Sequence, residues 1–320
     1  MRPAEALTQA VYYLDRELAP SSKARAFVRA AEIVDELGDD EIARRVESGT
    51  LTELDGIGKS TAQVITEALR GIDDGYLAKL EKRSRLPIGE GAEVRSALRG
   101  DCHMHSTWSD GGASVRAMAD TAMALGHDYM VMTDHSARLT IAHGLNEELA
   151  PFRILRGMEV DILEDGALDL SEEMLSQLDL VVASVHSKMR MPREDMTRRM
   201  VLAVASPHVD VLGHCTNRKI VGTGRAPSQF DAEIVFAACA KFDTAVEINC
   251  RPERQDPPEE LLSLAVEWEC NITISTDAHA PGQMEWQVYG ADKAARCGVP
   301  LESIVNTWSA DEVLAWSTAR

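Results

Sequence analysis

Histidines and carboxylates recur along the second part of the sequence, and most of them follow short apolar runs. A His-x-His pair, His103 and His105, ends the first of these runs, and Asp134-His135 closes the second. Later runs end in single residues of the same types, namely Glu159, His186, His214, Asp277 and His279. Imidazole and carboxylate groups without thiolate are typical ligands of Mn, Zn or Fe. These side chains therefore predict a metal site, provided that the fold brings them together.

The apolar runs that precede these side chains are predicted to be β-strands. Seven short runs alternate with amphipathic helical stretches, around Leu98–Met104 and at Tyr129–Met132, Ile154–Val160, Leu178–Ala183, Val209–Leu212, Ala245–Ile248 and Ile272–Ser275. Alternating strands and helices give parallel βα units, which can close into a barrel. Because the active sites of such barrels lie at the carboxyl ends of the strands, almost every strand would deliver a ligand to the same rim.

A single histidine at a strand end is more often a hydrogen-bonded structural residue than a metal ligand. Six of the nine histidines fall at these strand ends, however. Unpaired polar groups clustered at the edge of a core lower stability, so packing does not explain the whole set. The other histidines, His127, His143 and His208, lack this placement, and we interpret His127 and His208 as structural. Cys102 and Cys215 adjoin ligands but are predicted to pack outward, because neighbours on a strand face opposite sides.

The first 83 residues are predicted to form a separate helical domain. Apolar residues recur with helical spacing from Ala24, and Gly38 ends that pattern. Two short helical patterns flank Gly56 and Gly58. Residues 84–97 combine proline and glycine with charged residues and are predicted to be a linker. Residues 98–320 would then form the barrel.

Composition and charge restrict the class of protein. A chain of 320 residues favours two domains, and 45% hydrophobic with 27% charged residues is typical of a globular protein with a sizeable core. No stretch approaches the ~20 apolar residues of a membrane helix, and the N-terminus shows no secretory signal, so we expect a cytoplasmic protein. The six scattered cysteines are expected to be reduced. A net charge of −19 argues against broad, non-specific affinity for nucleic acid, although bound cations would neutralise some carboxylates.

Residues from about 98 to the C-terminus resemble the polymerase-and-histidinol-phosphatase (PHP) superfamily, and in particular the C-terminal domain of bacterial family X DNA polymerases. The stretches that carry the resemblance are Asp101–Asp110, Met132–His135, Gly157–Ile162, Ala183–Ser187, Val246–Asn249, Ser275–His279 and Asn306–Trp308. The resemblance implies an α/β fold, a distorted (β/α)7 barrel, that holds three divalent metal ions.

The resemblance also implies which residues bind each ion. The positions are His103, His105, Glu159 and Asp277 for the first ion, His186 and His214 with Glu159 as a bridge for the second, and Asp110, His135 and His279 for the third. Every position holds a ligating residue, which disfavours the inactive PHP domains attached to some replicative polymerases. Two cations about 3.5–4 Å apart lower the pKa of a shared water and offset charge on phosphate oxygens. The resemblance therefore implies hydrolysis of phosphate esters, with Glu159 as a catalytic residue.

Arginines after the fifth and sixth strands are candidates for binding phosphate. Arg218 and Arg225 resemble the arginine-containing loop that family X polymerases have at that place. A planar guanidinium can hold phosphate with two hydrogen bonds, which would make both residues catalytic. Surface salt bridges are an equal alternative, and Arg251 and Arg254 are open to the same two interpretations.

The N-terminal segment resembles the small DNA-binding domain of the same polymerases. Residues 51–69 resemble its helix-hairpin-helix, in which Gly56, Ile57, Gly58 and Lys59 would contact DNA, largely through backbone N–H groups at a helix N-terminus. An ordinary packing element is the alternative interpretation. The nucleotide-adding palm of the polymerases is absent, so we expect no polymerase activity.

Three functions are consistent with the sequence. The helix-hairpin-helix favours a nuclease or phosphodiesterase that processes DNA ends in repair, by 3′–5′ exonuclease or abasic-site cleavage. The acidic charge suits a small-molecule phosphomonoesterase, such as a histidinol-phosphate phosphatase, whose helical segment would serve association. The third possibility is a non-catalytic DNA-binding scaffold that is stabilised by its metals. No pattern in the sequence indicates an oligomeric state.

Overall fold

The computed structural model describes residues 1–135 and 149–319, so His143 lies outside the described residues. Contacts within the chain define two compact units. The first comprises Met1–Leu86 with Pro281–Gln283, and the second comprises Pro87–Ala280 with Met284–Arg320. Among the described residues, no helix combines the length and the apolar character needed to span a lipid bilayer.

The first unit is built from helices. They are α1 Pro3–Arg16, α2 Ser21–Leu37, α3 Asp39–Ser48, α4 Lys59–Leu69 and α5 Tyr76–Ser84, with a 3-10 turn at Leu51–Glu53. Helix α2 ends at Gly38, as predicted, where the backbone turns with φ of 78°. The helices bury Leu7, Leu14 and Phe27 in a common core. Burial of each such side chain contributes about 1.5–3 kcal/mol, which holds the short helices together.

A tight turn connects the 3-10 turn to α4. Gly56 has φ of 93°, and a β-carbon there would lie 2.7 Å from a side-chain carbon of α2, so this position requires glycine. Ile57 is buried in the core of the unit. Gly58 is exposed and donates its N–H to Thr61 Oγ1 at 2.9 Å. Helix α4 begins at Lys59, and the N–H groups of its first turn have no partner within the helix.

The second unit contains seven parallel strands. They are β1 Gly100–Asp101, β2 Tyr129–Met132, β3 Arg153–Asp161, β4 Leu180–Ser184, β5 Val211–Leu212, β6 Ala245–Asn249 and β7 Ile272–Ser275. Each strand pairs with the next one along the chain. Beyond β1 and β7, the N–H of His105 donates to the carbonyl of Ala278 at 2.8 Å, and that of Asp277 to the carbonyl of His103 at 2.9 Å. These bonds join the first and last strands, and the predicted (β/α)7 barrel is confirmed.

Helices and 3-10 turns surround the strands of the barrel. The helices are α6 Ala92–Ala97, α7 Val115–Ala124, α8 Glu172–Leu175, α9 Arg193–Val204, α10 Ala232–Phe242, α11 Glu259–Glu267, α12 Gln287–Arg296 and α13 Ala310–Thr318. The 3-10 turns are Leu301–Ser303 and Val305–Thr307, and a further one, Pro281–Trp286, includes the three residues that belong to the first unit. Every residue of β2, β4, β6 and β7 is buried. Strands covered on both faces appear as continuous apolar runs, which is why the runs predicted strands well.

The stretch 84–97, predicted to be a linker, includes helix α6. Asp292 Oδ1 on α12 accepts the N–H groups of Gly89 and Gly91 at 3.2 and 2.8 Å. A β-carbon on Gly91 would lie 2.3 Å from the backbone nitrogen of Asp292. Glycine at 91 therefore allows two backbones to approach closely, a role that the sequence does not distinguish from flexibility.

Candidate metal centre

The structure brings the nine predicted ligands to the carboxyl ends of the strands. His103, His105 and Asp110 follow β1, His135 follows β2, Glu159 lies in β3, His186 follows β4, His214 follows β5, and Asp277 and His279 follow β7. Among the described residues, three overlapping groups could each hold a metal ion, and these are His103-His105-Glu159, His105-Asp110-His279 and Glu159-His186-His214. Within each group the ligand atoms lie within 4.8 Å of one another. The geometry thus resolves one continuous cluster into three potential subsites.

Glu159 lies at the middle of this cluster and is only 4% exposed. Its Oε2 lies within 3.2–3.5 Å of the Nε2 atoms of His103, His105 and His135. Its other oxygen, Oε1, lies within 2.9–3.2 Å of the Nε2 atoms of His186 and His214. Because the two oxygens face different sets of imidazoles, this single carboxylate is placed to bridge two ions.

Two further carboxylates, those of Asp277 and Asp110, lie near His105 and His279. Asp277 Oδ1 is 3.6 Å from His105 Nε2 and 3.5 Å from His279 Nδ1. Asp110 Oδ2 is 3.1 Å from His279 Nε2. Asp277 has φ of 51°, a left-handed conformation that is unfavourable for residues other than glycine and is common at functional sites. His105 is therefore shared between two of the three groups.

Glu247 on β6 supports the ligands without facing the cluster itself. It is fully buried. Its Oε1 lies 2.6 Å from His103 Nδ1, and its Oε2 accepts the backbone N–H of His214 at 2.7 Å. Strand β6 was the one strand to which the sequence assigned no ligand. The stretch Val246–Asn249 carries part of the family resemblance, but its residue types do not indicate that Glu247 orients His103.

Two further groups orient other imidazoles. Asp161, two residues after Glu159 on β3, hydrogen-bonds to His186 Nδ1 through its carboxylate. The backbone carbonyl of Asp277 lies 2.9 Å from both His279 Nδ1 and Arg251 Nη1 and can accept a hydrogen bond from each. These contacts leave the Nε2 atoms of His186 and His279 to face the cluster, as second partners of metal ligands commonly do.

Asp134, which adjoins His135, has a different role. Its two oxygens accept the N–H and the hydroxyl of Ser106 at 2.7 and 2.6 Å, and the hydroxyl of Ser109 at 2.6 Å. The carboxylate therefore fixes the loop that leads to Asp110.

The charges in the cluster fit divalent cations. Burial and the neighbouring His103 lower the pKa of His105 to about 3, so its ring is neutral and offers a lone pair. Burial opposes ionisation of Glu159, but the surrounding imidazoles outweigh it and hold the pKa of that carboxyl well below its ordinary value. Ring nitrogens Nδ1 of His105 and His214 are buried without a hydrogen-bond partner among the described residues. Burial opposes protonation of His103 and His186, but the carboxylates beside them outweigh it and raise the pKa of both rings, that of His186 to about 9. Imidazoles around an ionised carboxylate are a donor set for Mn, Zn or Fe, and such a cation would take the place of these protons.

The two arginines predicted to bind phosphate form hydrogen bonds with the loops at the carboxyl ends of the strands. Arg218 donates from Nε to the carbonyl of Arg254 at 3.0 Å and from Nη2 to that of Gln255 at 2.5 Å. Arg225 donates from Nε and Nη2 to the carbonyl and side-chain oxygens of Asn217, both at 2.7 Å. Two donors of each guanidinium thus bind the protein itself.

Arg254 lies closer to the ligands. Its Nε is 4.0 Å from Asp277 Oδ2 and has no hydrogen-bond partner among the described residues. Its Nη1 donates to the side chain of Asn217 at 3.2 Å. Arg254 therefore places a buried positive charge beside the carboxylate of Asp277.

The chain is similar to known proteins over much of its length. The family model described as PHP domain matches residues 101–250. A DNA polymerase/3′-5′ exonuclease PolX of Bacillus subtilis is 36% identical over 234 residues, which cover 68% of this chain and 41% of that protein. A protein of Thermoanaerobacter sp. named as a probable phosphatase is 30% identical over 200 residues, covering 56% of this chain and 78% of that protein.

One solved structure is similar to part of the chain. It is the histidinol phosphate phosphatase of Lactococcus lactis, with a TM-score of 0.45 and 18% sequence identity, covering 63% of this chain and 94% of that one. The chain thus spans less than half of the Bacillus protein but most of the phosphatase from Thermoanaerobacter.

Proposed function

The chain belongs to the PHP domain family, and on that premise we propose that its metal centre hydrolyses phosphodiester bonds at DNA ends. The prediction of a metal-dependent hydrolase is confirmed at the level of the family. The observation that carries the proposal is Glu159, whose two oxygens face two separate sets of imidazoles. Bound divalent cations would activate a water and neutralise charge on the phosphate.

Residues of the barrel would hold the cations and orient the imidazoles that bind them. Glu159 would hold two cations at a fixed separation, and Asp161 and Glu247 would orient His186 and His103. The positive charge of Arg254, whose Nε lies 4.0 Å from Asp277 Oδ2, would help to keep that carboxylate ionised. Arg218 and Arg225, which the sequence predicts to be catalytic, would bind phosphate through their remaining N–H donors. Their other donors bind the loops at the carboxyl ends of the strands.

Two observations favour DNA as the substrate. The Bacillus relative, whose name includes a 3′-5′ exonuclease, is 36% identical over 234 residues. The first unit also presents the turn Gly56-Ile57-Gly58 and the exposed start of α4, where backbone N–H groups suit a phosphate without net positive charge. We therefore propose a repair enzyme of the cytoplasm that binds DNA through its first unit and cleaves it at the barrel.

Hydrolysis of small phosphomonoesters is the second candidate function. The named phosphatase of Thermoanaerobacter aligns over 78% of its own length. The net charge of −19 also suits a small substrate better than a polyanion. In that case the first unit would serve association rather than DNA binding.

Cleavage assays with a matched inactive variant test the proposal. The purified protein with Mn, Zn or Fe is expected to shorten a labelled duplex with a 3′ overhang or to cut an abasic duplex. His186→Ala should lose about a hundredfold or more of this activity, since about 2.7 kcal/mol of transition-state stabilisation is a modest loss for a disrupted metal site. No cleavage beyond that of the variant would exclude the nuclease, and turnover of phosphomonoesters alone would establish the second candidate.

Replacing Gly58 with valine is expected to weaken DNA binding while the protein stays folded. No atom lies within 4 Å of a β-carbon at this position, and the residue is exposed, so a side chain can extend into solvent. It would, however, keep a phosphate away from the N–H groups at the start of α4. We expect Kd for duplex DNA, measured by fluorescence anisotropy, to rise about tenfold.

Ser22→Val is the matched control, because it also places a branched side chain at the exposed start of a helix, α2, in the same unit. Its DNA affinity should equal that of the wild type. Equal affinities of all three proteins, with unchanged melting temperatures, would contradict a role of the turn in DNA binding.

A further inference from the structure

Arg199 on α9 is a buried cation that binds two of the loops next to the metal ligands. It is only 1% exposed. Removing a guanidinium from water lowers stability unless hydrogen bonds replace those to water, and an apolar side chain of similar length would fill the same space without that loss. The burial of this side chain therefore indicates a role beyond packing, which its hydrogen-bond partners specify.

The guanidinium of Arg199 joins the loops that follow β3 and β4. Its Nε donates to the carbonyl of Ile162 at 3.1 Å, and its Nη2 donates to the same oxygen. Its Nη1 donates to the carbonyl of Ser187 at 2.9 Å. Ile162 directly follows Asp161, and Ser187 directly follows His186. One planar group thus holds the backbone beside both members of the hydrogen bond between Asp161 and His186.

The backbone around these two carbonyls is tightly constrained. Lys188, next to Ser187, has φ of 51°, a left-handed conformation that is unfavourable for lysine and persists where the surrounding structure holds it. On the other loop, Gly166 has φ of 88°. A β-carbon there would lie 2.6 Å from Cβ of Leu202 on α9 and 3.0 Å from the carbonyl oxygen of Arg199. The loop after β3 therefore packs directly against the helix that carries Arg199.

We propose that Arg199 is a positioning residue that keeps His186 aligned with Glu159 for binding a cation. Nε2 of His186 lies 3.2 Å from Glu159 Oε1, while its Nδ1 is bound by Asp161. Separation of the two loops would break the bond to Asp161 or turn the ring away from Glu159. This inference rests on the metal centre of the proposed function and does not depend on which phosphate ester is hydrolysed.

Replacing Arg199 with lysine tests this role without removing the charge. An ammonium group is a point donor and does not replace the planar fork that binds both carbonyls. The full-length protein is dialysed against buffers of increasing free Mn²⁺, and bound ions are counted by elemental analysis. For Arg199→Lys we expect one ion to require an about tenfold higher free concentration than in the wild type. Arg199→Met, which keeps the length of the side chain without its charge, should show the same loss.

Arg198→Lys is the matched control, because Arg198 is exposed on the same helix. Its Mn²⁺ binding should equal that of the wild type. Unchanged Mn²⁺ binding in both Arg199 variants would overturn the positioning role.

A double-mutant cycle with Asp161→Ala distinguishes positioning from a general loss of stability. If Arg199 acts through the bond between Asp161 and His186, Arg199→Lys should change Mn²⁺ binding by less than about twofold once Asp161 is alanine. Additive losses would contradict the proposal. A wild-type protein that binds Mn²⁺ but hydrolyses neither DNA nor phosphomonoesters would contradict the proposed function alone, because Mn²⁺ binding by the variants would still decide the role of Arg199.

Discussion

Glutamine in place of Glu159 is expected to lower kcat by at least about a thousandfold, and excess metal should not restore it. Two of the three potential ligand groups include this carboxylate. The amide of glutamine offers only one acceptor oxygen, so it cannot face both sets of imidazoles as the two oxygens of Glu159 do. Loss of a bridging ligand removes several kcal/mol of transition-state stabilisation, and each 1.36 kcal/mol is tenfold in rate.

Metal analysis and kinetics should be measured on the same preparations. Metal content by elemental analysis is expected to fall along with the rate of DNA or phosphomonoester hydrolysis. Glu164→Gln is the control, because Glu164 is 61% exposed and its nearest cation, Lys188, is 3.9 Å away. A Glu159→Gln protein that keeps full metal content and a tenth of the wild-type rate would contradict the bridging role.

The strands and their order could be predicted because both follow from burial. Strands β2 and β7 match the predicted runs at both ends, since each is buried throughout and a polar or turn-forming residue follows it. The convergence of distant ligands also follows, because parallel strands that pair in chain order place all their carboxyl ends on one rim. The residue types at those ends therefore indicated the metal site without knowledge of any distance.

The supporting groups could not be predicted from residue types. Glu247 and Glu159 are both glutamates on buried strands, yet only the direction of the side chain makes one a central carboxylate and the other a partner of His103. In the same way, the sequence shows that Arg218 and Arg225 are cations near the site but not that they donate to backbone carbonyls. The role of Gly91 could not be predicted either, because a glycine is equally consistent with a flexible linker and with a close approach of two backbones.

Replacing Glu247 is expected to have a second large effect, on metal affinity, which differs from the effect of replacing Glu159 on kcat. Glu247 accepts hydrogen bonds from the ring of His103 and from the backbone of His214. The first bond keeps a proton on His103 Nδ1, so that Nε2 would offer its lone pair to a bound cation. In Glu247→Gln, the amide NH₂ would face one of these two donors and break that bond. Loss of such a partner typically lowers metal affinity by about 10–100-fold.

The expected signature is a shift in the metal requirement rather than in the maximal rate. For Glu247→Gln, the metal concentration for half-maximal activity should rise about 10–100-fold, while kcat at saturating metal stays within about threefold of the wild type. Asp210→Asn is the matched control, because Asp210 is also a buried carboxylate, accepting the backbone N–H of Val181 at 2.7 Å, but precedes β5 at the opposite end of the barrel. It should lower the melting temperature and leave the metal requirement unchanged. If Glu247→Gln lowered kcat as Glu159→Gln does, at every metal concentration, Glu247 would take part in the reaction itself and not only in orienting His103.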